Sequence, residues 1–225
     1  MLAFRKAIEN GADGVECDIQ KTADRHYVVI HDPTTERVTG VGGNVGKMSR
    51  EELGFLDCGG GERIPDLSEL LDALPSGSYL DLELKEETIA ADDCGPIVEI
   101  LDARIHRRNL MVSSFAPQLL MPFRRRGFTV GFLVGNETIA RGVGAFACAL
   151  VRLRPQYLNL PIQLVHTLGA GGASFLMGFA RLLGFSLLFW TVNTVAEAAL
   201  VGGAARIIVT DHVDRLVRFR DQSTR

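Results

Sequence analysis

Short apolar runs recur along the chain, and amphipathic segments separate them. Seven of the runs have the length and the β-branched content of buried strands: GVECDI, YLDLELK, LMVSSF, TVGFLV, YLNLP, LLFWTV and RIIVTD. The intervening segments, such as LSELLDALP, GPIVEILDARIHRR and AEAALVGGAA, have helical spacing, and several of them end at Gly or Pro. This alternation predicts a parallel α/β architecture whose sheet is covered on both faces.

Doubly wound sheets and closed barrels both alternate in this way. A dinucleotide-binding sheet needs GxGxxG between an early strand and its helix, and the run GVGGNVGK lacks that spacing. Polar residues gather instead where successive strands end, which is where a (β/α)8 barrel carries its chemistry. They are Glu16, Asp18, Glu83, Lys85, Ser113, Ser114, Asn159, Thr191, Asn193, Thr210 and Asp211. We therefore predict that residues 1–225 form a single barrel domain.

Composition and charge argue against several classes of protein. The chain has 225 residues and a net charge of −3, with no block of like charge, so we expect no nucleic-acid partner. The most apolar stretch, LGAGGASFLMGFARLLGFSLLFW, is interrupted by Arg181 and by repeated Gly, which predicts a buried helix followed by a buried strand rather than a membrane span.

The cysteines bear on the compartment. They are scattered without zinc-type spacing, which predicts free thiols and a reducing, cytoplasmic location; they are Cys17, Cys58, Cys94 and Cys148. The opening run MLAFRKAIENGADG has charges throughout and no apolar core, so it does not read as a secretory signal.

The run GVECDIQKTADRHYVVIHD places two acids on one face of a strand. Alternate side chains share a face, so Glu16 and Asp18 point the same way, and two carboxylates inside a barrel need a cation or protons to neutralise them. If Asp24 and Arg25 form the turn of a hairpin, Asp18 faces His31 on the returning strand. Arg25 is a poor turn residue, however, and a shift of one residue would turn His31 to the other face.

The run YLDLELK adds further candidates. Glu83 provides a third carboxylate on a strand of its own, and an all-oxygen set suits Mg²⁺ or Ca²⁺ better than Zn²⁺. Lys85 at the strand's end suits an anion such as phosphate. The residues alone leave alternatives open: the acids can be surface carboxylates of a hairpin, and His31 can be structural. Asp32, which precedes Pro33, is interpreted as a turn former.

Taken together, the run from GADGVECD to SREEL, then ERIPDLSELLDALP, LDLELK, VSSF, FWTVN and RIIVTD, resemble the glycerophosphodiester phosphodiesterase family in the family's own order. The resemblance extends from near the first residue to about Asp211. It implies a TIM barrel and hydrolysis of glycerophosphodiesters to glycerol 3-phosphate and an alcohol with a divalent cation. The site residues that it implies are the metal ligands Glu16, Asp18 and Glu83, the catalytic His31, and the substrate-lining Lys85 and Trp190.

The sequence departs from the family pattern at its beginning. Members of the family begin with a strand that ends in His-Arg-Gly, followed by Glu-Asn, whereas this sequence begins inside the next helix. We therefore expect a barrel without its first strand, either a fragment or a damaged copy, that lacks a partner His, a phosphate-binding Arg and a further acidic ligand. The other histidines sit in no matching motif; they are His26, His106, His166 and His212.

The leading hypothesis is a metal-dependent glycerophosphodiesterase that is complete only with residues upstream of Met1, and these departures keep two other functions open. One is a catalytically inactive relative that binds phosphate esters or a partner, and the other is a relative that cleaves phospholipid head groups. Trp190 can pack in the core instead of lining a substrate site, since Leu188 and Val192 share its face. The released alcohol, the choice between Mg²⁺ and Ca²⁺ and the oligomeric state do not follow from the sequence.

Overall fold

The computed structural model describes residues 1–135, 138 and 142–223. The strands are β1 (Gly14–Lys21), β2 (Tyr27–Val29), β3 (Tyr79–Leu84), β4 (Leu110–Ser114), β5 (Thr129–Leu133), β6 (Tyr157–Pro161), β7 (Ser186–Trp190) and β8 (Ala205–Ile208). The helices are α1 (Leu2–Glu9), α2 (Glu36–Thr39), α3 (Arg50–Gly54), α4 (Leu67–Ala73), α5 (Cys94–Asp102), α6 (Pro117–Arg125), α7 (Val143–Leu153), α8 (Ile162–Leu182), α9 (Val195–Val201) and α10 (Val213–Ser223). Three 3₁₀ turns lie within Val45–Lys47, Ala91–Asp93 and Arg107–Asn109.

These strands form one sheet in the order β2-β1-β3-β4-β5-β6-β7-β8. Strands β1 and β3 to β8 pair in parallel in this order, and each of them overlaps one of the seven apolar runs of the sequence. Strand β2 pairs antiparallel with β1. The predicted α/β fold of TIM-barrel type is confirmed, as a curled sheet in which β1 and β8 do not pair with each other in the described part of the chain.

The curl of the sheet is visible in contacts between strands that are not neighbours. Asn159 on β6 donates a hydrogen bond to Asp81 on β3, although β4 and β5 lie between them in the sheet. Phe115, which follows β4, packs against Trp190 at the end of β7. Such contacts require that one face of the sheet be concave, as it is inside a barrel.

The two faces of the sheet differ in chemistry. Cys17 and Ile19 on β1 and Leu82 on β3 belong to the main apolar core that the sheet forms with the surrounding helices. Glu16 and Asp18 alternate with them and therefore point to the concave side. The alternation predicted for the GVECDI run is thus present, and it directs acidic side chains inward.

The register predicted for the β1–β2 hairpin is wrong by one residue. Ile19 pairs with Val29 and Lys21 with Tyr27, so Asp18 lies opposite Ile30 and not opposite His31. The reason is the loop, in which Arg25 adopts a left-handed backbone (φ 69°) and the Thr22 N–H bonds to the His26 carbonyl. This is the geometry of a three-residue hairpin loop rather than the two-residue turn that we expected.

The predicted buried helix of the apolar stretch is only partly buried. Helix α8 packs Ile162, Val165 and Met177 inward, but Phe175 and Leu182 are 75% and 83% exposed. Strand β7 follows the helix as predicted and is buried at its centre. No helix in the described part of the chain combines the length and the apolar character that a membrane span requires.

Candidate active site

Three carboxylates converge at the carboxyl-terminal ends of β1 and β3. Asp18 and Glu83 are register partners on the two strands, and Glu16 lies two positions before Asp18 on the same face. Each residue offers one oxygen, and these three oxygens all lie within 4.8 Å of one another. The convergence that the sequence predicts for these side chains is therefore present. We call this cluster the acidic triad.

Burial makes two members of the acidic triad, Glu16 and Glu83, resist ionisation. Burial, reinforced by the charges of Asp18, Asp81 and Glu83, raises the pKa of Glu16 well above its ordinary value. Burial also raises the pKa of Glu83 to about 7, against the opposing effect of Lys85. Three acids that repel one another in a poorly solvated place are stabilised by protons or by a bound cation.

Lys85 supplies the positive charge that the triad meets in this structure. Its ammonium group lies 2.7 Å from Asp18 Oδ1 and 2.5 Å from Glu83 Oε1. The ammonium is itself largely buried, yet these two carboxylates hold the pKa of Lys85 above its ordinary value despite that burial. Lys85 thus lies where the sequence predicts, but its partners here are the carboxylates.

Asp81 forms a second acidic position on the concave face, and we did not predict a role for it. The Ser113 hydroxyl donates to Asp81 Oδ1 at 2.6 Å, and the Asn159 amide donates to Oδ2 at 3.3 Å. Burial raises the pKa of Asp81 to about 7, although the hydrogen bond from Ser113 works in the opposite direction. The alternation in LDLELK places Asp81 on the face of Glu83, but its partners come from other strands.

His31 lies on the loop that follows β2, with its side chain 63% exposed. Its Nδ1 atom is 2.7 Å from Asp32 Oδ1. Arg37 grips the same carboxylate, through Nε to Oδ2 and through Nη2 to Oδ1 at 3.0 Å. These contacts, first that of Arg37 and then that of His31, hold the pKa of the Asp32 carboxyl well below its usual range. Asp32 is therefore more than the turn former that the sequence indicated.

His31 remains close enough to the acidic triad to interact with it. Beyond the stronger effects of burial and of Lys85, the charge of a protonated His31 lowers the pKa of Glu83. Of the other histidines, His166 contacts Glu197 at 3.1 Å and His26 lies in the hairpin loop. Within the described residues, His31 is the imidazole that meets the triad electrostatically.

Trp190 lies at the end of β7 and packs edge-to-face against Phe115, with ring centroids 6.0 Å apart and planes at 87°. Both rings follow parallel strands at the end of the sheet that carries the triad. Gly135 makes room for Phe115, because a Cβ at position 135 would lie 2.8 Å from Phe115 Cε1. The indole Nε1 is buried and has no hydrogen-bond partner in the described part of the chain.

Comparisons with known proteins agree on one family. The model of the "Glycerophosphoryl diester phosphodiesterase family" matches residues 1–215. A glycerophosphodiester phosphodiesterase from Caldanaerobacter subterraneus subsp. tengcongensis is 27% identical, and the match covers 97% of this chain and 90% of that protein. A crystal structure of the glycerophosphodiester phosphodiesterase from Thermotoga maritima is 27% identical with a TM-score of 0.78, over 96% of this chain and 89% of that chain. An Oleispira antarctica phosphodiesterase, solved in complex with the product sn-glycerol-3-phosphate, shares the fold at a TM-score of 0.82 and 22% identity, over 97% and 89% of the two chains.

Proposed function

The chain belongs to the glycerophosphoryl diester phosphodiesterase family, and we propose that it hydrolyses glycerophosphodiesters to glycerol 3-phosphate and an alcohol with the help of a divalent cation. The observation that carries the proposal is the convergence of Glu16, Asp18 and Glu83. The fold places these carboxylates where parallel barrels carry their catalytic groups. The relative solved with sn-glycerol-3-phosphate supports the substrate class.

The acidic triad fits a hard divalent cation. Its three donors are all carboxylate oxygens, which Mg²⁺ and Ca²⁺ prefer and which offer no thiolate or imidazole to favour Zn²⁺. The pKa values of Glu16 and Glu83 are raised by burial and by neighbouring acids even with Lys85 present, so the triad can accept further positive charge. A bound cation would neutralise the triad and polarise the phosphoryl oxygens of a diester.

Lys85 is the candidate for holding the phosphate. Its ammonium forms ion pairs with Asp18 and Glu83 in this structure, and its compact charge binds phosphate oxygens well. When other positive charge neutralises the two carboxylates, the ammonium is free to turn to an anion. The same side chain therefore forms ion pairs with the two carboxylates in the absence of substrate and binds the diester in its presence.

His31 is the candidate for moving a proton. Hydrolysis forms a bond between a water oxygen and phosphorus, breaks the bond from phosphorus to the alcohol oxygen, removes a proton from the water and adds one to the leaving oxygen. The carboxylate of Asp32 accepts a hydrogen bond from the Nδ1–H of His31, which leaves Nε2 as the atom that takes or gives a proton at one end of this reaction. Such a group is typically worth about 10²- to 10⁴-fold in rate.

Trp190 and Phe115 are the candidates for contacting the carbon skeleton of the substrate. Their edge-to-face pair forms an aromatic wall from β4 and β7. Aromatic rings suit the glycerol carbons or an apolar alcohol, because they offer a large apolar surface. The sequence predictions of a cytoplasmic location and of a single domain over residues 1–225 stay predictions.

The proposal is tested by release of glycerol 3-phosphate from glycerophosphocholine with Mg²⁺ or Ca²⁺. We expect His31→Ala to lower kcat by about 10²- to 10⁴-fold while calorimetric metal affinity is kept. Glu83→Gln should weaken metal binding itself, because a ligand charge is lost. His106→Ala is the matched control, since His106 is exposed and outside the site.

Three results would contradict the proposal in different ways. Full activity of both the His31→Ala and the Glu83→Gln protein would remove the assignment of the site. Binding of glycerol 3-phosphate without turnover by the unaltered protein would favour the inactive relative. Cleavage of intact phospholipid in preference to glycerophosphocholine would favour the head-group hydrolase.

A further inference from the structure

Gln20 is a fully buried amide on the concave side of β1, two positions after Asp18. Its Nε2 atom lies 3.4, 3.1 and 2.6 Å from the carbonyl oxygens of Ile30, His31 and Asp32. Three consecutive carbonyls of the loop that carries the imidazole thus point at one side chain. The opposite amide orientation would set an oxygen against three oxygens, so the donor must face the loop.

Gln20 lies closest to the backbone of His31 and of Asp32, the two residues that we assign to proton transfer. An amide nitrogen has two hydrogens, so it serves at most two of the three carbonyls well at one time. The two shortest distances are those to His31 and Asp32. The same residue is therefore a donor to the backbone of the imidazole and to that of the carboxylate that orients it.

The other end of the Gln20 amide is unsatisfied. Gln20 Oε1 is buried and has no hydrogen-bond partner in the described part of the chain. Burying an unpaired amide oxygen is unfavourable, and an apolar side chain of the same length would avoid that cost. What the amide supplies here is its donor group, which is directed to the loop.

The loop needs this support because the hairpin ladder ends before it. Strand β2 ends at Val29, and the next backbone hydrogen bond joins the Ile30 N–H to the Asp18 carbonyl at 3.0 Å. Beyond that point His31 is largely exposed, and its ring is held by Asp32. Strand pairing therefore does not set the position of the imidazole relative to the triad.

We propose that Gln20 is a positioning residue for His31, which fixes the imidazole loop against the strand that bears Glu16 and Asp18. The inference rests on the proposed function, since it assigns Gln20 to the proton-transfer step of that reaction. Gln20 touches no reacting atom and acts through the loop. Its removal should therefore lower the rate of the chemical step without weakening the binding of metal or substrate.

The kinetic test uses Gln20→Met, which keeps the length of the side chain and removes the donor. We expect kcat for glycerophosphocholine to fall about 10- to 100-fold, the loss typical of a misplaced catalytic group, with KM and Mg²⁺ affinity unchanged. Thr22→Val is the matched control. Thr22 is buried on the same hairpin, but its hydroxyl serves Asp24 and His26, so its loss should lower stability and leave kcat unchanged.

A double variant separates action through His31 from other effects. In the His31→Ala background, Gln20→Met should lower kcat no further, because the group that it positions is gone. An equal fall in kcat in both backgrounds would overturn the inference, because Gln20 would then act on strand β1 and not through His31. An unchanged kcat of Gln20→Met alone would overturn it as well.

A measurement without substrate or metal keeps the two proposals distinct. The backbone amide order parameters of His31 and Asp32 should be about 0.85 in the unaltered protein and fall below about 0.6 in Gln20→Met, while those of β1 and β3 stay high. Values already below about 0.6 in the unaltered protein would overturn the inference without any variant. If the order parameters fall as predicted but the unaltered protein has no diesterase activity, Gln20 does fix the loop and the proposed function is refuted.

Discussion

The metal-free protein should lose stability as the pH rises from about 4 to about 7, which is the reverse of common acid denaturation. Burial raises the pKa of Asp81 and that of Glu83 to about 7 each. In the unfolded chain both groups ionise near their ordinary values, 3.8 and 4.5. The folded protein therefore retains protons that the unfolded chain has lost. The stabilisation is complete below the ordinary pKa values and disappears as the pH rises to about 7.

The magnitude follows from the size of the shift. For Asp81 a pKa about 3 units above the ordinary value corresponds to about 4 kcal/mol of unfolding free energy across the whole range. Between about pH 5 and 6.5 each of the two groups contributes a fall of about 1.4 kcal/mol per pH unit. Carboxyls with lowered pKa values, such as Asp32 and Asp93, act in the opposite sense only below about pH 4.

The assay is urea unfolding with a chelator present, at several pH values from about 5 to about 7. Asp81→Asn provides the control, because it removes one titrating group and should flatten the slope by about 1.4 kcal/mol per pH unit. In Asp81→Asn the new amide oxygen can accept from the Ser113 hydroxyl. Asn159 Oδ1 has no hydrogen-bond partner among the described residues, so Asn159 can turn its amide and accept from the new amide nitrogen at position 81. Mg²⁺ or Ca²⁺ should stabilise the protein more at the higher pH and displace protons.

The reasoning would be refuted by an unfolding free energy that is constant or rises between about pH 5 and 7 in the chelator. A slope that Asp81→Asn leaves unaltered would assign the effect to other groups.

Two further predictions concern single side chains. Lys85→Met should raise KM for the diester without lowering metal affinity, because the ammonium no longer competes with the cation for Asp18 and Glu83; it should also destabilise the metal-free protein at neutral pH, because the two carboxylates lose their counter-charge, and steady-state kinetics, calorimetry and urea unfolding test these parts. Thr194→Ala should cost about 1 kcal/mol of unfolding free energy, because the Thr194 hydroxyl accepts from the Glu197 N–H and caps α9, and unchanged stability would show that this cap is dispensable.

The amino-acid sequence was sufficient for everything that depends on local periodicity. Apolar runs of strand length predicted the seven parallel strands, because a buried strand needs little more than a short β-branched segment between helical ones. Alternation along β1 and β3 predicted that Glu16, Asp18 and Glu83 share a face, and parallel pairing then brings them to the same end of the sheet. The resemblance to a family supplied the roles that we propose for these residues, which periodicity does not provide.

Contacts between distant parts of the chain were decided by the tertiary structure alone. The hairpin register depended on the left-handed backbone of Arg25, and an arginine in the sequence does not predict that conformation. Asp81 meets Ser113 on the neighbouring strand β4, but it meets Asn159 on β6 because the sheet curls, and nothing in the spacing of these residues specifies the curl. In the sequence, Gln20 is an ordinary polar strand residue, and only the structure shows that three carbonyl oxygens surround its amide nitrogen. Local pattern determines which face a side chain takes, whereas its partners depend on how the strands bend and pair in space.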